Sequence, residues 1–321
     1  MKDAINQMNI FGKAGTPFLF IVDFDMENPV VLPLDAVNPD EILFSVDGTA
    51  NFSAVPANDK ALAFSVDPVP EARYREAFDQ VQEHLRYGNS FLLNLTMPSR
   101  VQTNYSLQEI FWHSHARYKL WLRNRLVVFS PETFVRVADG RISSYPMKGT
   151  IDAALPDAES RLLSSEKELA EHYTIVDLIR NDLNVVARNV RVDRFRFIDR
   201  IRTHRHELLQ MSSEISGELP PDGMERIGDI LFGMLPAGSV SGAPKKKTVE
   251  VIREAERCPR GYYTGVFGIF DGQRLDSCVM IRFIEETPGG LFYRSGGGIT
   301  ARSRFDEEYR ELIEKIYVPL A

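Results

Sequence analysis

Two glutamate pairs, Glu168/Glu171 and Glu308/Glu311, are each spaced three residues apart. On a helix such pairs share a face. Carboxylates from two helices turned toward one another make an oxygen-rich site suited to Mg²⁺. The same spacing describes an ordinary solvated face, because Glu is seldom buried. Lys148 stands in the run Tyr145-Pro146-Met147-Lys148-Gly149-Thr150. Held between Pro and Gly-Thr, and desolvated, its amine could act as a nucleophile; most lysines are merely exposed. Arg282 lies within LDSCVMIRFIE. Read as a strand, that run puts Arg282 on one face with Cys278, Met280 and Ile284. An arginine there needs an anionic partner, either a substrate carboxylate held by two parallel hydrogen bonds or an internal Asp or Glu. Gly296-Gly297-Gly298 follows a strand-like run, and serves either close approach of another molecule to the backbone or a tight turn. Pro236–Lys247 (PAGSVSGAPKKK) is a small-residue loop entering a helix, a place where N–H groups attract anions. It lacks Walker spacing, and Lys245, Lys246 and Lys247 read as a solvated face. Residues 188–206 carry seven arginines and two histidines, His204 and His206. That stretch is either a phosphate stripe or a half-buried strand, and the alternation Arg194-Phe195-Arg196-Phe197 favours the strand.

These residues need elements to hold them. Residues 1–68 read as strand-rich, with apolar runs at 17–22 and 41–46. Tyr74, Ala77, Phe78, Val81 and Leu85 repeat at helical spacing, which predicts a helix over 71–87 with Gly88 as its stop. Strands are expected at 91–95, 126–137, 188–206, 262–270, 275–285 and 291–295. Helices are expected over 158–184, from Pro244 onward, and over 304–317, where Tyr309, Leu312, Ile313 and Ile316 share a face. Strands and helices come in blocks rather than in regular alternation, which indicates an α+β fold. No repeat or linker divides the chain, so residues 1–321 are expected to form one catalytic domain, with 1–68 as its N-terminal part.

Of 321 residues, 44% are hydrophobic and 26% charged, enough for a sizeable core and incompatible with a disordered, collagenous or disulfide-stapled chain. The net charge of −7 argues against a dedicated nucleic-acid binder. Two cysteines, Cys258 and Cys278, cannot form a disulfide framework or a four-cysteine zinc site. No apolar stretch approaches a membrane span, and Met1-Lys2-Asp3 opens no cleavable apolar segment. A cytoplasmic protein is the expectation.

Taken in order, several segments resemble the chorismate-utilising enzymes, which include anthranilate synthase, isochorismate synthase and aminodeoxychorismate synthase component I. They are SPETF (130–134), PMKGT (146–150), EHYTIVDLIRNDL (171–183), GSVSGAPK (238–245), RGYYTGVFG (260–268), VMIRF (279–283), and GGGI followed by EEYRELIEK (307–315). The resemblance covers about residues 70–321 and implies two mostly antiparallel sheets packed as a sandwich with helices outside. Anthranilate synthases carry Ala where this chain has Lys148, and lysine there marks the members that aminate chorismate at C4.

The resemblance then implies a role for each matched residue. Lys148 would attack C2 of the ring and Glu132 would be the general acid/base. Glu171 and Glu311 would bind Mg²⁺, with Glu168 and Glu308 in support. Gly149, Thr150, Gly296, Gly298 and Lys315 would surround the ring and its carboxylate. Arg282 and Tyr263 would hold the enolpyruvyl carboxylate, and Ser239 would line the pocket. The product, 4-amino-4-deoxychorismate, would pass to aminodeoxychorismate lyase on the way to p-aminobenzoate and folate. Gln210 stands where the family usually has histidine, and Gln cannot shuttle a proton near neutrality. The N-terminal part is short and lacks a tryptophan-feedback motif. No glutaminase signature is present, so ammonia would come from solution or from a separate glutamine amidotransferase subunit. The alternatives are anthranilate or isochorismate synthase and, more remotely, a nucleic-acid module using Arg188–His206.

Overall fold

Continuous apolar runs are what strands buried on both faces require, and Phe18–Val22 is one: all five residues are buried. Leu19 and Ile21 enter one hydrophobic cluster, while Phe18, Phe20 and Val22 enter another. This strand therefore lies in a sheet covered on both sides. The computed structural model describes residues 1–57, 60–202 and 207–320. His204, His206 and the side chain of Thr150 fall outside the described residues.

Among the described residues the strands form two nine-stranded sheets. The first runs Met147–Asp152, Glu207–Glu218, Arg141–Ser144, Thr133–Ala138, Leu275–Val279, Val266–Phe270, Phe18–Val22, Val30–Pro33, with Arg188–Arg202 also paired to Glu207–Glu218. The second runs Gly242–Ala243, Leu92–Thr103, Gly290–Ile299, Phe283–Thr287, Leu126–Ser130, Tyr118–Leu122, Ile42–Val46, Thr49–Ala50, with Phe64–Asp67 beside Leu92–Thr103. The pairings are antiparallel. Leu19, Phe44, Leu120, Val128, Phe267 and Phe283 fill the space between the sheets. Helices Lys2–Ala14, Glu166–Val186 and Ile227–Gly233 cover the first sheet's outer face through Met8, Ile175, Leu183 and Leu231. Helices Glu71–Arg86, Lys245–Glu256 and Phe305–Glu314 cover the second through Tyr74, Val81, Ile252 and Leu312. The architecture is the expected α+β sandwich of two antiparallel sheets with helices outside.

Two expected strands prove to be four. The run 126–137 splits into Leu126–Ser130 in the second sheet and Thr133–Ala138 in the first. The run 275–285 splits into Leu275–Val279 in the first sheet and Phe283–Thr287 in the second. Pro131-Glu132 and Met280–Arg282 are thus side-by-side corners at which the chain changes sheets. They are stitched together: Ser130 Oγ donates to Val279 O at 2.7 Å, Val279 N to Glu132 O at 3.1 Å, and Phe129 N to Arg282 O at 3.0 Å. Arg282 has φ +54°, a left-handed conformation that L-residues other than Asn and Asp rarely adopt. It does not share a strand face with Cys278, Met280 and Ile284. Apolar periodicity continues through both corners, which is why the sequence shows no break.

Other differences have local causes. Residues 1–68 are not strands throughout, for they open on helix Lys2–Ala14, which contains Gly12. Here it permits close packing, since a Cβ on Gly12 would come within 2.1 Å of Met224 O. The strand expected at 91–95 continues to Thr103. The glycine triplet lies inside strand Gly290–Ile299, not after it, opposite Asn94, Leu95 and Thr96. A Cβ on Gly296 would come within 2.1 Å of Leu95 O. The Arg194–Phe197 alternation is broken by a register shift against the partner strand, so Phe195 is exposed while Arg196 turns inward onto Leu163 O and Met211 Sδ.

Candidate active site

The two sheet-crossing corners, the glycine strand and two helices enclose a cavity of about 860 Å³. Corner residues Glu132 and Arg282 line it, with Lys148 and Gly149 from strand Met147–Asp152, and Glu168 and Glu171 from helix Glu166–Val186. Ser239, Tyr263, Gly296, Gly298, Glu311 and Lys315 complete the expected set. Glu308 does not line the cavity; it is buried behind Gly297, where a Cβ would lie 3.5 Å from its Oε2. Thr150 is placed only by its backbone, which pairs with Gln210.

The cationic groups converge. Lys148 Nζ lies 4.0 Å from Glu171 Oε2 and 3.4 Å from where a Cβ on Gly298 would be. Lys315 Nζ donates to Glu311 Oε1 at 2.5 Å and to Gly296 O at 2.9 Å. Burial lowers the pKa of Lys315, Glu311 pulls it back up, and Lys148 and Arg282 push it down. Burial raises the pKa of Glu132 above the usual carboxylate range, while Ser239, Lys148, Arg282 and Lys315 oppose that rise. Among the described residues no carboxylate lies within ion-pair distance of Arg282; its side chain meets Tyr317 instead.

The glutamates fit a hard divalent cation in their donor type, all oxygen. Two of them face places where a glycine leaves room. A Cβ on Gly149 would meet Glu168 Oε2 at 2.7 Å, and one on Gly297 would meet Glu311 Oε1 at 3.1 Å. No three carboxylate, imidazole or thiol groups among the described residues are gathered closely enough to hold a metal as they stand. Lys315 engages Glu311, and Lys148 faces Glu171. Metal binding would require these carboxylates to turn from their lysines.

Several residues that position the site were missed by sequence reasoning. Asp182 accepts from Gly238 N at 3.0 Å and pairs with Lys245 at 2.7 Å, pinning the turn that carries Ser239. Lys245 therefore does not belong to a solvated face. Arg260, 2% exposed, bonds Glu256, Val240 O and Asn94 O, tying the cavity-lining segments at Val240 and Asn94 to helix Lys245–Glu256 from behind. Both residues lie in motifs already noted, and only their roles were illegible. Gln210, Asn94 and Tyr317 also line the cavity. In the arginine-rich strand, Arg191 pairs with Asp193 at 2.7 Å and Arg200 with Glu207 at 3.0 Å.

His172, beside Glu171, is fully buried and shares a 2.6 Å hydrogen bond with Ser213 Oγ. Burial first, then the positive Arg196 and Lys148, hold its pKa down to about 4. The unfolded chain takes up this proton near pH 6.5 and the folded one does not, so stability falls as pH drops from about 6.5 toward 4. His172 should cost about 2 kcal/mol of stability between pH 7 and pH 5. Denaturant midpoints at both pH values should show that loss, and His172→Gln should remove it. An equal loss in the variant would exclude His172 as its cause.

A double antiparallel sandwich thus encloses two lysines, an arginine and five glutamates, Glu314 included, in one cavity. The chain belongs to the chorismate-binding enzyme family, whose model matches residues 36–321. It is 50% identical over 320 residues to an uncharacterized PabA-like protein of Haemophilus influenzae, covering 100% of this chain and 97% of that one. It is 34% identical over 255 residues to anthranilate synthase component 1 of Acetivibrio thermocellus, covering 74% of this chain and 50% of that one. Over 265 residues it is 31% identical to aminodeoxychorismate synthase component 1 of Bacillus subtilis, covering 78% and 55%. It spans about half the length of those two synthases. Among solved structures, the putative 2,3-dihydroxybenzoate-specific isochorismate synthase of Bacillus anthracis shares the fold, with a TM-score of 0.72 at 22% identity over 98% of this chain and 86% of that one. No helix among the described residues is long and apolar enough to cross a membrane.

Proposed function

We propose that the protein aminates chorismate at C4 to give 4-amino-4-deoxychorismate. The observation that carries this reading is the place of Lys148 Nζ, inside the cavity against Gly298 and 4.0 Å from Glu171. Identity alone does not choose between amination and the anthranilate reaction, since the two synthase relatives match about equally well. A lysine so placed supports amination, because a covalent step at ring C2 needs an amine beside the ring.

In the first step the Lys148 amine forms a bond to ring C2. The ring double bonds shift, the C4–O bond breaks, and hydroxide leaves as water with a proton from Glu132. In the second step ammonia bonds to C4, the Lys148–C2 bond breaks, and the surplus proton returns to Glu132. The enolpyruvyl group stays. Arg282 and Tyr263 hold its carboxylate, while Gly149, Thr150, Gly296, Gly298, Ser239 and Lys315 surround the ring. Glu171 and Glu311, supported by Glu168 and Glu308, would hold Mg²⁺, which supplies charge neutralisation of the ring carboxylate. The fixed cations stabilise developing charge better than water does, and the enclosure protects the adduct from hydrolysis. Residues 1–321 act as one catalytic domain in the cytoplasm, and a separate glutamine amidotransferase supplies the ammonia.

The test is product formation. With chorismate, Mg²⁺ and ammonium, followed by aminodeoxychorismate lyase, p-aminobenzoate should appear. A product that has lost pyruvate would identify an anthranilate synthase, and one that has gained no nitrogen an isochorismate synthase; either would overturn the proposal.

A further inference from the structure

Deepening the reading above, and resting on it, we propose that Tyr317 aims Arg282 at a ligand carboxylate and so makes the cavity select ligands that carry a second carboxylate. Among the described residues no carboxylate lies within ion-pair distance of Arg282, although Glu132 is near enough to feel its charge. Three phenols stand around Arg282: Tyr263, Tyr293 and Tyr317. Nε meets Tyr317 OH at 3.3 Å, and the guanidinium carbon lies 5.3 Å from the Tyr317 ring centroid. A guanidinium can grip a carboxylate along either of two nitrogen pairs. Tyr317 occupies Nε, which leaves the edge formed by the two terminal nitrogens for the ligand.

The position of Tyr317 is over-determined by the tail that follows helix Phe305–Glu314. Leu320 bridges to Ser114, His115 N donates to Pro319 O at 2.7 Å, and Tyr293 OH donates to Tyr317 O at 3.0 Å. Ile316 and Val318, on either side, are buried in a cluster with Tyr293 and Ile284. The Tyr317 side chain reaches Arg282 and lines the cavity. Arg282 is fixed at its other end by the left-handed corner. A long side chain held at both ends loses little freedom on binding a carboxylate, and a favourable orientation results.

The experiment compares two probes by calorimetry in Mg²⁺ buffer without ammonia: 3-(carboxymethoxy)benzoate, with two carboxylates, and benzoate, with one. Wild type should prefer the dicarboxylate. Tyr317→Phe, which keeps the ring and removes the hydroxyl, should weaken the dicarboxylate about fivefold while leaving benzoate within about twofold. Tyr317→Leu, lacking the ring as well, should lose about tenfold or more of the preference. For chorismate, KM should rise more than kcat falls. An unchanged preference in both variants, or equal weakening of both probes, overturns the inference, because a structural role would move both together. Wild type that prefers the dicarboxylate yet makes no amino product would sink the amination reading and leave this one standing.

Discussion

Lys148→Ala should reduce formation of the amino product by at least about a thousandfold, a barrier increase of about 4 kcal/mol. The lysine is the reacting atom's carrier in the proposed first step, and no other amine in the cavity can replace it. Lys315 Nζ is tethered to Gly296 O at 2.9 Å, a contact that remains when Glu311 turns toward a metal. The loss should fall on kcat, with chorismate still bound by Arg282 and the remaining cavity. A second measurement addresses the bond itself. Wild type quenched with chorismate in the absence of ammonia should show, by intact-protein mass, an adduct of chorismate less water. Lys148→Ala should show none. An unaffected rate would remove the covalent step, and an adduct in the variant would move it to another residue.

Legibility from sequence followed physical scale. The apolar strands, the helix Glu71–Arg86 and the sandwich class were readable because burial imposes a period on the chain. The corners were not: nothing in LVVFSPETFVRV or LDSCVMIRFIE breaks the apolar pattern where each run passes between sheets. These corners place Glu132 and Arg282 at the cavity, so the least readable backbone positions carry two of the assigned residues. The cavity's contributors were recognisable through motifs, as with Lys148, Glu171 and Glu311. Their pairings were not, because ion pairs such as Lys245–Asp182 span 63 positions of sequence. Tyr317 gave no signal: the helix expected over 304–317 ends at Glu314, and the Tyr317 side chain is aimed by tail contacts that only the tertiary structure creates.

Glu132→Gln should cost about a hundredfold to ten-thousandfold in rate, because the amide keeps the shape of the carboxyl but has no proton to donate. The pH dependence separates this role from simple packing. Burial raises the Glu132 pKa, so the folded protein holds the proton at pH values where an exposed glutamate has lost it. Wild-type kcat should therefore fall as pH rises through that elevated value, and the residual rate of the variant should lack this limb. The same shift has a stability consequence of the same sense. The folded state binds this proton more tightly than the unfolded chain, so the stability it contributes is complete below the ordinary carboxylate range and is lost as pH climbs to the raised value. Glu132→Gln escapes that loss and should melt no lower than wild type at neutral pH, with a difference that shrinks on acidification. A variant that is slow and also less stable at every pH would mean that Glu132 supports the corner rather than the chemistry. A variant that is slow yet at least as stable at neutral pH fits only a group whose burial is maintained at a cost in stability, as expected of an acid that must keep its proton until the C4 hydroxyl leaves.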